Sequence, residues 1–195
     1  LTRATRWALV VGVLALAAIV ALLPRDDPQP ATAAPDLGPA RAAAALPPCA
    51  AGAGPAALRG VATQCLGDGS PTNLAAVLGG GPTLVNLWAI WCQPCRAELP
   101  VLGAYAAEPG AARVVTVQVQ SKQADGLALL QELGVRLPTV HDGEGMTGPV
   151  RDALRMPPRL PATFVVQPDG SARLVESTPV LHTVEQVRAA VGGAR

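Results

Sequence analysis

Between Thr83 and Pro100 the chain passes from a strand-length apolar run, Thr83-Leu84-Val85-Asn86-Leu87-Trp88, through Ala89-Ile90-Trp91 into Cys92-Gln93-Pro94-Cys95 and on to Arg96-Ala97-Glu98-Leu99-Pro100. A short, largely apolar run of this length reads as a strand inside a sheet. Pro94 fits the first turn of a helix, where its missing N–H is not needed. The segment therefore folds as strand, tight turn and helix, with both cysteines at the helix start. Thiol–disulfide exchange needs one accessible thiolate and a second thiol close enough to resolve the mixed disulfide. Unpaired N–H groups at a helix start stabilise an anionic first sulfur. That makes Cys92 the expected nucleophile and Cys95 the resolving thiol. A zinc knuckle uses the same spacing but needs further ligands. Cys49 and Cys65 lie far upstream, and neither His141 nor His182 is near in sequence.

The rest of the pattern supplies an α/β domain. Leu58 to Leu66 reads as part of a peripheral hairpin turned at Gly67-Asp68-Gly69-Ser70, and Asn73 to Leu78 as a short helix. A helix over about Cys92 to Ala107 presents Leu99, Leu102 and Ala106 on one side. Val114 to Val119 is a β-branched strand, and Asp125 to Leu133 a helix stopped by Gly134. Val135 to Val140 leads to a polar turn at Asp142-Gly143-Glu144-Gly145, and Pro149 to Leu154 is another helical piece. Thr163 to Val166 and Ala172 to Glu176 form a hairpin across Pro168-Asp169-Gly170-Ser171. A helix over Thr183 to Val191 closes the domain. Alternating strands and helices followed by a hairpin predict a three-layer α/β fold around a mixed sheet.

At the amino end, Trp7 to Leu23 carries no charge, with Arg3 and Arg6 before it and Pro24-Arg25-Asp26-Asp27 after it. The expectation is an N-terminal transmembrane helix over residues 1–23, or a signal sequence cleaved on secretion. The flanking arginines place the downstream chain outside the cytoplasm. Residues 24–48, dominated by Pro, Ala and Asp, read as a flexible tether, and 49–195 as the folded domain with an N-terminal extension. The formal net charge of +1 gives no reason to expect nucleic acid.

The run from Leu84 to Pro100, together with Leu160-Pro161-Ala162-Thr163-Phe164-Val165-Val166 and Asp169-Gly170, resembles the thioredoxin superfamily in its extracytoplasmic TlpA/ResA-like branch, over roughly residues 70 to 191. The resemblance implies a thioredoxin-like fold and a membrane-tethered thiol–disulfide oxidoreductase facing the periplasm or cell exterior, with no cofactor or metal. The implied partners are protein thiols and disulfides, apocytochrome c among them, a membrane electron-donor protein for recycling, and the lipid bilayer through the N-terminal helix. Pro161 matches the family's cis-proline, so that Leu160 offers its backbone to a bound partner, with Trp91, Gln93 and Pro94 lining the approach. Pro100 matches a helix-kinking proline, and Trp88 packs beneath the site. Glu98 matches an acidic residue near the active site, where a carboxylate can raise a thiol pKa or relay a proton; the alternative is a solvated helix residue beside Arg96. Asn86 stands where cytoplasmic thioredoxins carry a buried Asp, and a neutral amide cannot replace that base.

In an oxidising compartment Cys49 and Cys65 are expected to form a structural disulfide, in preference to free thiols or a second redox pair. His141 reads as a polar turn residue and His182 as a surface or capping residue. Met146, Pro149, Met156, Pro157 and Pro158 read as packing and turns rather than a partner groove. The expected function is a membrane-anchored thiol–disulfide oxidoreductase acting on extracytoplasmic proteins, reducing or oxidising. The direction depends on potential and recycling partner, which cysteine spacing does not set. The competing readings are a non-catalytic scaffold, marked by two inert thiols, and a thiol peroxidase, marked by peroxide consumption.

Overall fold

In the computed structural model of the chain, the described residues are 3–22, 35–49 and 52–193. They fall into two units divided after Pro35, each described by itself. The first contains helix α1 (Arg3–Leu22). Among the described residues, no helix is long and apolar enough to cross a membrane. This corrects the expected N-terminal transmembrane helix, and with it the bilayer as a partner and the single-pass membrane location. The physical reason is length and content. The uncharged part of α1, Trp7 to Leu22, is sixteen residues and rises about 24 Å, short of the roughly 30 Å hydrocarbon core. The run is also rich in alanine, and the helix begins with Arg3 and Arg6 in its first turns. Leu23 and residues 24–34 of the expected tether lie outside the described residues. Within the remainder of that stretch, α2 (Gly38–Ala44) is helical and belongs to the second unit.

The second unit is built on one seven-stranded sheet: β1 (Ala62–Cys65), β2 (Pro71–Asn73), β3 (Thr83–Trp88), β4 (Arg113–Gln118), β5 (Thr139–His141), β6 (Ala162–Val166) and β7 (Ala172–Leu174). Their spatial order is β2-β1-β5-β4-β3-β6-β7. β3, β4 and β5 run parallel, as helical crossovers require, and the remaining pairings are antiparallel. The early hairpin lies at one edge of this sheet, with β2 outermost, and β1 joins it to β5 through Gln64↔His141 and Cys65↔Val140. Every residue of β3 is buried, as its apolar sequence demands.

Side-chain parity fixes the layers. Asn86 on β3 reaches Glu98 on α4 (Gln93–Ala106), and Gln118 on β4 lies close under Gly126 of α5 (Gln123–Glu132). Glu98 also meets Leu181, just ahead of α7 (Val184–Gly192), so these three helices share one face. Arg113, of opposite parity, donates to the Val77 carbonyl of α3 (Leu74–Leu78) on the other face. Asn73 caps α3 by accepting from Ala76 N–H, and Thr183 with Gln186 forms a capping box on α7. A Cβ on Gly126 would overlap the side-chain amide of Gln118, which would then have to shift. Leucine and valine fill most of the core, around the fully buried Trp88.

The register delivers the site. Trp88, Gln118 and His141 are aligned across three parallel strands, so the segments after them leave the sheet at one edge. β6 runs the opposite way, with Ala162 opposite Leu87, so residues 160–161 enter at that same edge. Cross-links join these segments: Val119 N–H to Trp88 O at 2.9 Å, Ile90 N–H to Ser121 Oγ at 3.2 Å, and Gln120 N–H to Gly143 O at 3.0 Å.

Candidate active site

Cys92 is the N-cap of α4, with extended backbone, and its sulfur accepts from Cys95 N–H at 3.2 Å. Pro94 occupies the first turn. Cys92 and Cys95 are joined as a disulfide, their Cα atoms 5.3 Å apart, so the dithiol is within bonding reach. Cys95 is fully buried, and Cys92 keeps 4% of its surface exposed. Any approaching thiol or disulfide therefore meets Cys92 first. Trp91, Gln93 and Pro94 beside it are exposed, Trp91 to 61%. The Leu160–Pro161 peptide is cis, with Leu160 half-buried and Pro161 buried. Pro100 lies inside α4, where it withholds one helical N–H.

Glu98 lies one turn beyond Cys95, on the same side of α4, and is completely buried. It is not the solvated residue of the alternative reading, because Arg96 turns away to Glu132 at 2.7 Å. Two donors hold its carboxyl: Asn86 Nδ2 to Oε2 at 2.7 Å and Leu181 N–H to Oε1 at 2.8 Å. Burial raises its pKa to about 7, against the opposing pull of those two donors. A buried carboxyl that titrates near neutrality can store or release a proton beside the resolving cysteine. Asn86 Nδ2 also donates to Thr163 Oγ1 at 2.9 Å, which links Glu98 to the strand just past the cis bond. Trp88 lies beneath the site with its indole Nε1 buried and without a hydrogen-bond partner among the described residues.

Cys49 and Cys65 form a second disulfide, Cα–Cα 5.7 Å, on the α3 face of the sheet. Arg113 reinforces it by donating to the Cys49 carbonyl at 2.9 Å. It belongs to the N-terminal extension and not to the end of the sheet that carries Cys92 and Pro161.

Sequence reasoning missed several residues. Leu181 and Thr163 reach the site from distant positions, and no local pattern announces either contact. Asp142, expected in a polar turn, is buried and forms an ion pair with buried Arg151 at 2.8 Å. Arg151 also donates to the carbonyls of Gly145 and Thr147, which closes the 142–151 loop next to the site. His141, expected as a turn residue, is on β5, with Nδ1 3.3 Å from Gln118 Oε1, and burial lowers its pKa. Among the described residues, no group of three or more His, Cys, Asp or Glu side chains is placed to hold a metal ion.

Comparison with known proteins agrees with this geometry. The chain is 30% identical over 105 residues to the thiol-disulfide oxidoreductase ResA of Oceanobacillus iheyensis, a match covering 53% of this chain and 52% of the relative. It is 38% identical over 84 residues to the thiol:disulfide interchange protein CycY of Rhizobium leguminosarum bv. viciae, covering 43% and 41%. The chain thus spans about half or less of the length of these curated relatives. Its fold is similar to the crystal structure of a secreted Mycobacterium tuberculosis disulfide oxidoreductase homologous to Escherichia coli DsbE, with TM-score 0.56 and 22% identity, covering 68% of this chain and 94% of that one. The model of the AhpC/TSA family matches residues 60–175, more than half the chain. With a Cys-Gln-Pro-Cys active-site motif at the start of α4, the chain belongs to the AhpC/TSA family and is similar to the thiol–disulfide oxidoreductases ResA, DsbE and CycY.

Proposed function

We propose that this chain exchanges dithiol for disulfide with cysteine-bearing proteins through Cys92 and Cys95. The observation that carries the reading is the position of the Cys92 sulfur, which caps the fourteen-residue helix α4 and accepts the Cys95 N–H. Negative charge on that sulfur is stabilised by the backbone donors and the helix dipole.

In the reducing direction, the Cys92 thiolate attacks one sulfur of a partner disulfide. A bond forms between Cys92 and that sulfur, the partner's S–S bond breaks, and its second sulfur leaves as a thiolate that takes up a proton. Cys95 then loses its proton and attacks the Cys92 sulfur, which releases the partner's remaining thiol. Two electrons pass to the partner, and the enzyme is left with the 92–95 disulfide. The oxidising direction runs the same steps in reverse. Glu98 accepts the Cys95 proton, a role suited to a buried carboxyl with a pKa near 7. Trp91, Gln93, Pro94 and the Leu160–Pro161 loop form the rim against which the partner chain lies. Two disulfides in one small domain suit an oxidising compartment.

The test is turnover of a disulfide-bonded protein such as insulin by the reduced chain. Reduction of insulin is expected with the native sequence and none above background with Cys92→Ser. Cys95→Ser is expected to accumulate a mixed disulfide at Cys92. Turnover retained in Cys92→Ser would contradict the proposal.

A further inference from the structure

Glu98 and the cis-proline strand are joined through a single side chain, Asn86. Its Nδ2 donates to Glu98 Oε2 at 2.7 Å and to Thr163 Oγ1 at 2.9 Å. Its other polar atom, Oδ1, is buried and has no hydrogen-bond partner among the described residues. A buried amide is ordinarily held from both sides, but this one is held from one side only, by the two bonds that Nδ2 donates.

That asymmetry matters because Glu98 changes its hydrogen-bonding character when it takes up a proton. A carboxylate only accepts, whereas a carboxylic acid also carries an O–H donor. Leu181 N–H occupies Oε1 at 2.8 Å, so the proton belongs on Oε2, facing Asn86. An N–H donor and an O–H donor then point at each other. Half a turn of the amide removes the donor–donor clash: Oδ1 comes to face both Oε2 and Thr163 Oγ1 and accepts from each, while Nδ2 takes the place where Oδ1 had no partner. Thr163 changes from acceptor to donor. Because Thr163 lies on β6 two residues beyond Pro161, the change reaches the segment that enters the active edge.

We infer that Asn86 is a positioning residue whose amide reverses with the charge of Glu98 and passes that change through Thr163 to the strand behind the Leu160–Pro161 bond. The inference rests on the proposed exchange function only for its consequence: proton uptake at Glu98 would alter the partner-facing loop as well as the dithiol. Other charges do not confuse the linkage. Arg96, on the same helix, is paired with Glu132, and no charged side chain contributes to the Glu98 shift. On β3 and β6 the groups facing Glu98 are the neutral Asn86 and Thr163. On the segment before α7 the facing group is the Leu181 N–H, with exposed His182 next in sequence. Cys92 and Cys95 are the remaining titratable neighbours, and they are silent when oxidised.

The experiment therefore uses the oxidised full chain, labelled for NMR and titrated from pH 5 to 9 without substrate. The Glu98 side-chain carbon, the Asn86 side-chain amide and the backbone amides of Leu160 and Ala162 are followed. In the native chain all four are expected to move with one midpoint. In Glu98→Gln the Asn86, Leu160 and Ala162 responses are expected to vanish. In Thr163→Val, a nearly isosteric change, Glu98 still titrates but the Leu160 and Ala162 responses fall at least threefold. In Asn86→Leu the proton affinity of Glu98 rises at least threefold, because a donor to the charged form is worth more than an acceptor for the neutral one. An Asn86 amide unmoved through the Glu98 midpoint overturns the inference, as does a full Leu160 response in Thr163→Val. Exchange activity plays no part in these readouts, so failure of the proposed function would show separately, in the insulin assay.

Discussion

The molecule holds two disulfides of similar burial and similar span. Cys49 and Cys65 are exposed to 3% and 1%, Cys92 and Cys95 to 4% and 0%, and the Cα separations are 5.7 and 5.3 Å. Neither burial nor distance tells them apart. The backbone around them differs. Cys92 starts a long helix, its sulfur receives a backbone N–H, its partner is three residues away, and a buried carboxyl stands one turn further on. Cys65 ends a short strand, and Cys49 is sixteen residues distant in an extension gripped by Arg113. Helix-start donors stabilise the thiolate that forms when the first bridge opens; among the described residues the second bridge has no comparable feature. Redox function comes from stabilising the broken state, and stapling from the length of chain closed.

The comparison can be broken most forcefully at Cys92. Cys92→Ser is expected to abolish turnover of a protein disulfide while leaving the melting transition of the domain in place; residual turnover would remove the distinction. The reciprocal change, Cys49→Ala with Cys65→Ala, is expected to lower unfolding free energy by about 3 kcal/mol, the value for a loop of this size, and to leave turnover within about twofold of native. Denaturant unfolding of the oxidised proteins measures the first effect, and the insulin assay the second.

Glu98 sharpens the comparison through pH. Its pKa in the folded chain is about 7, against an unfolded value near 4.5. The folded state therefore binds more protons between those limits, and stability falls as pH rises from about 4.5 to 7, then levels off. The full span is on the order of 3 kcal/mol. Oxidised Glu98→Gln is expected to lose this slope, which unfolding curves collected at pH 5 and pH 8 would show; an unchanged slope would place the titration elsewhere. The smallest effect is expected at the cap of α3. Asn73→Ala should cost about 1 kcal/mol and leave turnover untouched, which shows that stability can be removed from this face of the sheet without disturbing the active edge.

Much of this architecture is legible in the residues because the signals are local. The apolar run Thr83–Trp88 reads as a strand inside a sheet, and the observed β3 has those bounds. Cys-Gln-Pro-Cys marks a helix start because Pro94 suits the first turn, where its missing N–H is not needed. The hairpin at β6 and β7 is announced by Pro168-Asp169-Gly170-Ser171. The features that escape are non-local or a matter of degree. The pairing of β1 with β5 joins residues far apart in sequence, so no local pattern shows that the early hairpin forms the edge of this same sheet. Asp142 and Arg151 both look like solvated charges, since nothing short of the fold shows that each covers the other. The grip of Leu181 on Glu98 spans 83 residues. The apolar amino-terminal run suggests a membrane span by its lack of charge and its flanking arginines, but among the described residues no helix is long and apolar enough to cross a membrane.

The most direct measurement is graded reduction of the native chain with a limiting dithiol, followed by alkylation and mapping of the labelled cysteines. The account predicts that Cys92 and Cys95 take up label first, Cys92 ahead of Cys95, while Cys49 and Cys65 stay joined. Simultaneous opening of both bridges, or earlier labelling at Cys49 and Cys65, would contradict it.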